Sequence, residues 1–157
     1  GINGGNHLVE LAVQSNQITY TELEYNFSGI ISAMEYSPID PSYRYVLTSN
    51  GKFYYSSDDG ENWVTTSSFT GPGAHYFYGS TIWVSESTTG KLIIGGSGYS
   101  NPPVFISYNH GETFEPLNAG LPNTGSSIEG IDACVIQYFC NRAYVIKLTW
   151  IDCFVSK

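Results

Sequence analysis

Ser56-Ser57-Asp58-Asp59-Gly60-Glu61-Asn62-Trp63 has the form S-x-D-x-G-x-x-W, and Ser107-Tyr108-Asn109-His110-Gly111-Glu112-Thr113-Phe114 repeats it 51 residues later, with Asn for Asp and Phe for Trp. An aromatic or apolar run, Phe53-Tyr54-Tyr55 or Val104-Phe105-Ile106, leads into each Ser, and a short β-prone stretch leaves each final aromatic. Such an arrangement is a hairpin turn. A carboxylate or amide at the third position accepts hydrogen bonds from backbone N–H groups a few residues on, and Gly at the fifth takes a positive φ at no steric cost. The large aromatic at the eighth then re-enters a core. Two copies, each between strand-forming runs, define an internal repeat.

Working outward, the same composition continues on both sides. Tyr, Thr, Ile, Val, Phe and Trp are gathered in short runs that 17 glycines and 7 prolines punctuate, and no stretch keeps a helical apolar spacing over three turns. The spacing predicts an all-β chain. Its strands are expected at Leu8–Val13, Ile18–Leu23, Ile31–Ser37, Tyr43–Thr48, Lys52–Ser56, Trp63–Ser67, Thr81–Ser87, Lys91–Gly95, Val104–Ser107, Phe114–Leu117, Ile128–Val135, Tyr144–Leu148 and Cys153–Ser156.

The two octapeptides resemble the Asp-box, or BNR, repeats of sialidases, sortilin-type receptors, xyloglucan-active glycoside hydrolases and photosystem-assembly propellers. In that family the box joins the third and fourth strands of a propeller blade. The resemblance implies a partial β-propeller of about three four-stranded blades. On that basis residues 1–27 end one blade, 28–70 and 71–122 are blades with a box, and 123–157 form an incomplete blade. It gives Ser56, Asp58, Gly60, Trp63, Ser107, Asn109, Gly111 and Phe114 structural roles. Closed propellers typically need ~4–8 blades, so the chain is expected to be a segment of a longer protein, with the remaining blades as its first partners. Cys153-Phe154-Val155-Ser156 is then expected to lead into a third box.

Charge and cysteine usage narrow the partners. Six Lys and Arg stand against 14 Asp and Glu, and the net charge of −8 argues against nucleic acid or an anionic membrane surface. The longest apolar runs, such as Leu92-Ile93-Ile94, fall far short of the ~20 residues of a membrane helix, so no membrane insertion is expected. Cys134, Cys140 and Cys153 are confined to the last 24 residues and are expected to be buried strand residues, with one disulfide at most. Their spacing, and the scatter of His7, His75 and His110, support no zinc site. His110 is expected to be an exposed turn residue.

Catalytic chemistry finds few residues to carry it. A sialidase-like site needs an arginine cluster, whereas the chain has only Arg44 and Arg142. In xyloglucan-active relatives a catalytic Asp follows the second strand of a blade. The matching stretches, Thr48-Ser49-Asn50-Gly51, Gly95-Gly96-Ser97-Gly98 and Lys147-Leu148-Thr149-Trp150, contain no carboxylate, and glycoside hydrolysis ordinarily needs two. Asp58, Asp59 and Glu61 depart from the spacing of a calcium loop and read as turn-capping residues, so no metal, cofactor or catalytic residue is expected. Asn26-Phe27-Ser28 fits the glycosylation sequon, which matters only in a eukaryotic secretory protein. Tyr76, Tyr78, Trp83 and Tyr99 have two readings, as platforms that stack on sugar faces or as filling between neighbouring sheets. Together these features lead us to expect a non-catalytic segment of an extracellular or cell-surface protein that binds a glycan or a protein. The alternative is a fragment of a glycoside hydrolase whose catalytic residues lie outside this chain.

Overall fold

The computed structural model describes residues 5–71, 81–96, 102 and 104–117, together with the strand backbones of 134–139, 142–148 and 153–155. The described residues form an all-β protein without a helix, so none is long and apolar enough to cross a membrane. A hairpin of β1 (Val9–Gln14) and β2 (Gln17–Glu22) comes first. Its turn is Ser15-Asn16, both with positive φ, the primed geometry that matches the twist of paired strands.

Two four-stranded antiparallel sheets follow. The first is β3 (Ile31–Tyr36), β4 (Arg44–Thr48), β5 (Phe53–Ser56) and β6 (Val64–Thr65) in chain order. The second is β7 (Thr81–Val84), β8 (Leu92–Gly95), β9 (Val104–Ser107) and β10 (Glu115–Pro116), again a simple meander. A three-stranded sheet of β11 (Cys134–Phe139), β12 (Arg142–Leu148) and β13 (Cys153–Val155) closes the described chain.

Both four-stranded sheets are buried on both faces, and the period of two along each strand decides what each face meets. Tyr45 and Leu47 of β4 and Phe53 of β5 point to one side, where Ile82, Val84, Leu92, Ile94 and Phe105 of the second sheet meet them. Val46 and Tyr54, one residue out of phase, point to the other side and pack with Phe27 and Trp63. In the second sheet Ile93, Val104 and Ile106 form the outer layer. The central strands are therefore buried at nearly every position, with polar residues only at their ends, whereas the edge strands β3, β6, β7 and β10 alternate or lie exposed.

One expectation about the tail changes. A strand was expected at Ile128–Val135, but β11 runs over Cys134–Phe139, the stretch that pairs residue by residue with β12 from Cys134 opposite Lys147 to Phe139 opposite Arg142. Residues 128–133 lie outside the described residues. Cys134 opposes Lys147 on one side of β12 and Cys153 opposes Leu148 on the other. Two strand spacings of ~4.8 Å separate them, beyond the ~7 Å Cα separation a disulfide spans. Cys140 lies outside the described residues.

The sheets approach closely at the second octapeptide. Gly111 has a φ of 87°, and a Cβ placed on it would stand 2.2 Å from Cε1 of Phe53 in the first sheet. Gly60 has the same backbone form, with a φ of 93°, but its Cβ would meet only Trp63, at an ordinary 3.5 Å. Gly60→Ala is expected to destabilise by the left-handed penalty alone, about 1–2 kcal/mol. Gly111→Ala adds overpacking to that penalty, for about 2–5 kcal/mol in all. Urea unfolding of both variants should show the larger midpoint shift for Gly111→Ala.

Candidate functional site

Both octapeptides close through the same hydrogen bonds. Ser56 Oγ accepts from the backbone N–H of Asp58 at 3.3 Å and of Gly60 at 2.9 Å, and it donates to Asp58 Oδ1 at 2.7 Å. Ser107 Oγ accepts from Asn109 N at 3.2 Å and Gly111 N at 2.9 Å, and it donates to Asn109 Oδ1 at 2.9 Å. The same Oδ1 atoms accept from the backbone N–H four residues on, Asn62 at 2.8 Å and Thr113 at 3.0 Å. Each turn thereby satisfies three N–H groups that a hairpin of this length leaves without a ladder partner.

The seventh position, variable in the sequence pattern, is matched to the third. Asp58 Oδ2 accepts from Asn62 Nδ2 at 2.7 Å, whereas Asn109 Nδ2 donates to Thr113 Oγ1 at 2.9 Å. A carboxylate takes a donor there and an amide takes an acceptor. The fourth position is occupied by Asp59 and His110, both in the left-handed region, which Asp and His tolerate better than most residues. Their N–H groups reach across to Ser42 O and Gly90 O at 2.8 and 2.9 Å.

These carbonyls belong to a second repeat that the sequence pattern did not reveal. In the β3–β4 connection Asp40 N donates to Ser37 Oγ at 3.1 Å, and in the β7–β8 connection Thr88 N donates to Ser85 Oγ at 3.0 Å. Both serines are buried. The only sequence signal is a Ser 48 residues from a Ser at corresponding strand ends.

The eighth-position aromatics repeat in three dimensions as well. Trp63 packs edge-on to Phe27 at 5.0 Å, and Phe27 packs edge-on to Tyr54 at 5.0 Å. Phe114 stacks on Phe69 at 4.4 Å, and Phe69 packs edge-on to Phe105 at 5.1 Å. Phe27 and Phe69 each come from the segment that precedes the sheet they join, so each turn aromatic ties its sheet to what comes before. The triads differ at two corners, Trp63 against Phe114 and Tyr54 against Phe105. Trp63 Nε1 is buried and has no acceptor among the described residues, so the indole contributes through its rings.

The remaining expected site residues separate. Trp83 is half-buried against Ile93, Val104 and Ile106, on the outer face of the second sheet. Tyr76, Tyr78 and Tyr99 lie outside the described residues. Asn26 is exposed, with its Nδ2 donating to Glu24 O at 3.1 Å. His110 is not the exposed turn residue expected. Its ring is half-buried, stacked on Tyr43 at 3.6 Å, with Nδ1 2.8 Å from Tyr45 Oη. An isolated turn gives no hint of this, because the partners come from β4, where Tyr45 is 65 residues away, and from Tyr43 just before that strand. Burial lowers the His110 pKa from 6.5, against the pull of Asp40 and Glu112. Arg44 pairs with Asp59 and with the carbonyl of Pro41 at the corresponding corner of the first sheet. Among the described residues no group of His, Cys, Asp and Glu could hold a metal ion.

Compared with known proteins, the chain matches no family model and no curated protein.

The Asn62 side-chain amide, its backbone N–H and the Ser56 hydroxyl together hold the Asp58 carboxyl down to about 2. A carboxylate whose folded pKa is depressed stabilises above its unfolded value of about 4 and loses that contribution as the pH falls toward 2. Asn109 shows that an amide fits the same turn without titrating. Relative to Asp58→Asn, the wild type is therefore expected to lose stability between about pH 4 and pH 2, read as converging denaturation midpoints. Trp63→Ala should cost about 3–5 kcal/mol, and Trp63→Phe should recover more than half of that because Phe serves at 114. An equal loss for both variants in urea unfolding would mean that a phenyl ring cannot stand in for the indole at this position.

Proposed function

We propose that this chain is a non-catalytic segment of an Asp-box β-propeller, from an extracellular or cell-surface protein, whose blades present a binding face for a glycan or a protein. The observation that carries the reading is the hydrogen-bonded repeat. Two consecutive four-stranded meanders have the same capped turn between third and fourth strands and the same serine-capped connection between first and second strands. That repetition supports blades rather than an unrelated pair of sheets.

It also supports an assignment of ends. The side-chain oxygens of Ser56, Asp58, Ser107 and Asn109 are engaged within their turns, so the box end is scaffold. In sequence, Tyr76 and Tyr78 fall between β6 and β7 and Tyr99 between β8 and β9, connections that join strand ends opposite the boxes. Aromatic faces on such connections suit the flat faces of sugar rings or an apolar peptide, with little charge required.

A glycan array probed with the chain, followed by calorimetric titration of the retained oligosaccharides, tests this. Tyr99→Ala and Tyr76→Ala are expected to weaken binding by about tenfold or more, while Asp58→Asn leaves it unchanged. Turnover of sialosides or xyloglucan oligosaccharides by the purified chain, abolished by Asp or Glu substitutions within it, would overturn the non-catalytic reading.

A further inference from the structure

His110 sits where the two four-stranded sheets lock together. Its ring lies nearly parallel to Tyr43, 18° between planes, and reaches the hydroxyl of Tyr45, a residue with no exposed surface. On the far side is the β7–β8 connection, where a Cβ on Gly90 would stand 3.1 Å from His110 Cδ2. The next residue, Gly111, abuts Phe53, and its carbonyl accepts from the buried Thr66 hydroxyl at 2.5 Å. A displacement of the imidazole is therefore a displacement of the whole inter-sheet seam at this end.

The groups around the ring come from every neighbouring element. Asp40 acts on it from the β3–β4 connection and Glu112 from its own turn. Tyr43 and Tyr45 face it from the start of β4, and Tyr55 lies within electrostatic reach of Tyr43 and Glu112. Lys91, at the end of the β7–β8 connection, stands over the Tyr108 ring, and Arg44 is paired with Asp59.

We propose that His110 is an acid-sensitive pin between the two sheets. The neutral ring with its hydrogen on Nε2 presents the Nδ1 lone pair to the Tyr45 hydroxyl, which ties the second turn to β4. A proton taken from solvent onto Nδ1 consumes that lone pair. Nδ1–H can then only donate to Tyr45 Oη, so the hydroxyl hydrogen has to turn away from the ring toward Ser37, its other side-chain partner, and a positive charge lies in a layer built largely of aromatic and aliphatic side chains. Desolvation disfavours the charged form more than Asp40 and Glu112 favour it, so the folded protein takes up the proton at lower pH than the unfolded chain does. The sign follows from linkage. Stability present above pH 6.5 is lost as the pH falls from the unfolded value through the lower folded value. The first turn has Asp59 at the corresponding position, paired with Arg44, and carries no such device.

An NMR titration of the wild-type imidazoles, with His110 assigned through its contacts to Tyr43 and Tyr45, is expected to give a pKa below 6.5. Urea unfolding at about pH 7.5 and about pH 5 should show a lower midpoint in acid for the wild type and a smaller shift for His110→Gln. Over the same interval, amide exchange corrected for intrinsic rate should quicken at His110 and Gly111 while Gly60 is unchanged. A His110 pKa at or above 6.5, or an acid shift of full size in His110→Gln, overturns the proposal. Should His110→Gln fail to fold, the wild-type titration and the exchange contrast between Gly111 and Gly60 decide it alone.

Discussion

The hydroxyl of Ser56, like that of Ser107 one repeat later, accepts two backbone N–H groups while donating to the side chain two residues on. Everything else in the two sheets hangs on that small set of bonds. They hold the turn in consecutive left-handed residues, Asp59-Gly60 and His110-Gly111, a backbone form that costs free energy at the non-glycine position unless neighbours compensate. The direction in which the chain leaves the turn then fixes where the aromatic three residues beyond the glycine enters the core. Both serines are almost completely buried, so an unbonded hydroxyl there would carry a desolvation penalty as well as releasing the turn.

The aromatic thus delivered does not pack within its own sheet alone. Trp63 reaches Phe27 and Phe114 reaches Phe69, each in the segment that leads into the sheet. Each of the two four-stranded sheets is joined in this way to the segment before it, and the joint tolerates Trp or Phe because only ring packing is demanded. The fourth position of the turn shows the opposite behaviour. Its backbone is the same in both copies, yet Asp59 meets Arg44 on the surface while His110 is drawn into the seam by Tyr43 and Tyr45. One turn geometry serves both an exposed ion pair and a half-buried imidazole.

How much of this was legible in the sequence depended on the range of the interaction. The strands around both boxes were legible because a period of two and a turn of eight residues are local properties. The bounds of β4, β5, β8 and β9 fall within about two residues of the expected ones. The match between the third and seventh positions was present in the sequence but hidden, since Asp with Asn and Asn with Thr look unrelated until the direction of the hydrogen bond is known. Ser37-Pro38-Ile39-Asp40 and Ser85-Glu86-Ser87-Thr88 share one residue, and the backbone bond they make to it is indifferent to the rest. Phe27, Phe69 and the partners of His110 were illegible for another reason. They act across sheets, and nothing in a linear pattern tells a core aromatic which neighbour it will meet.

The two spacings, 48 residues between the serine connections and 51 between the boxes, place the variation in the molecule. The register pairs Leu47 with Phe53 in the first sheet and Gly95 with Val104 in the second, so the β8–β9 connection is three residues longer than the β4–β5 connection. Both lie at the end of the sheets away from the boxes. At the box end, an added residue would break a bond from a side-chain oxygen to an N–H a fixed number of residues away, and length there is constrained by chemistry. At the other end, the cost of a longer loop grows only with the logarithm of its length. A repeat built like this can change one end freely while the other preserves the seam, and the free end is where differences between units can serve recognition.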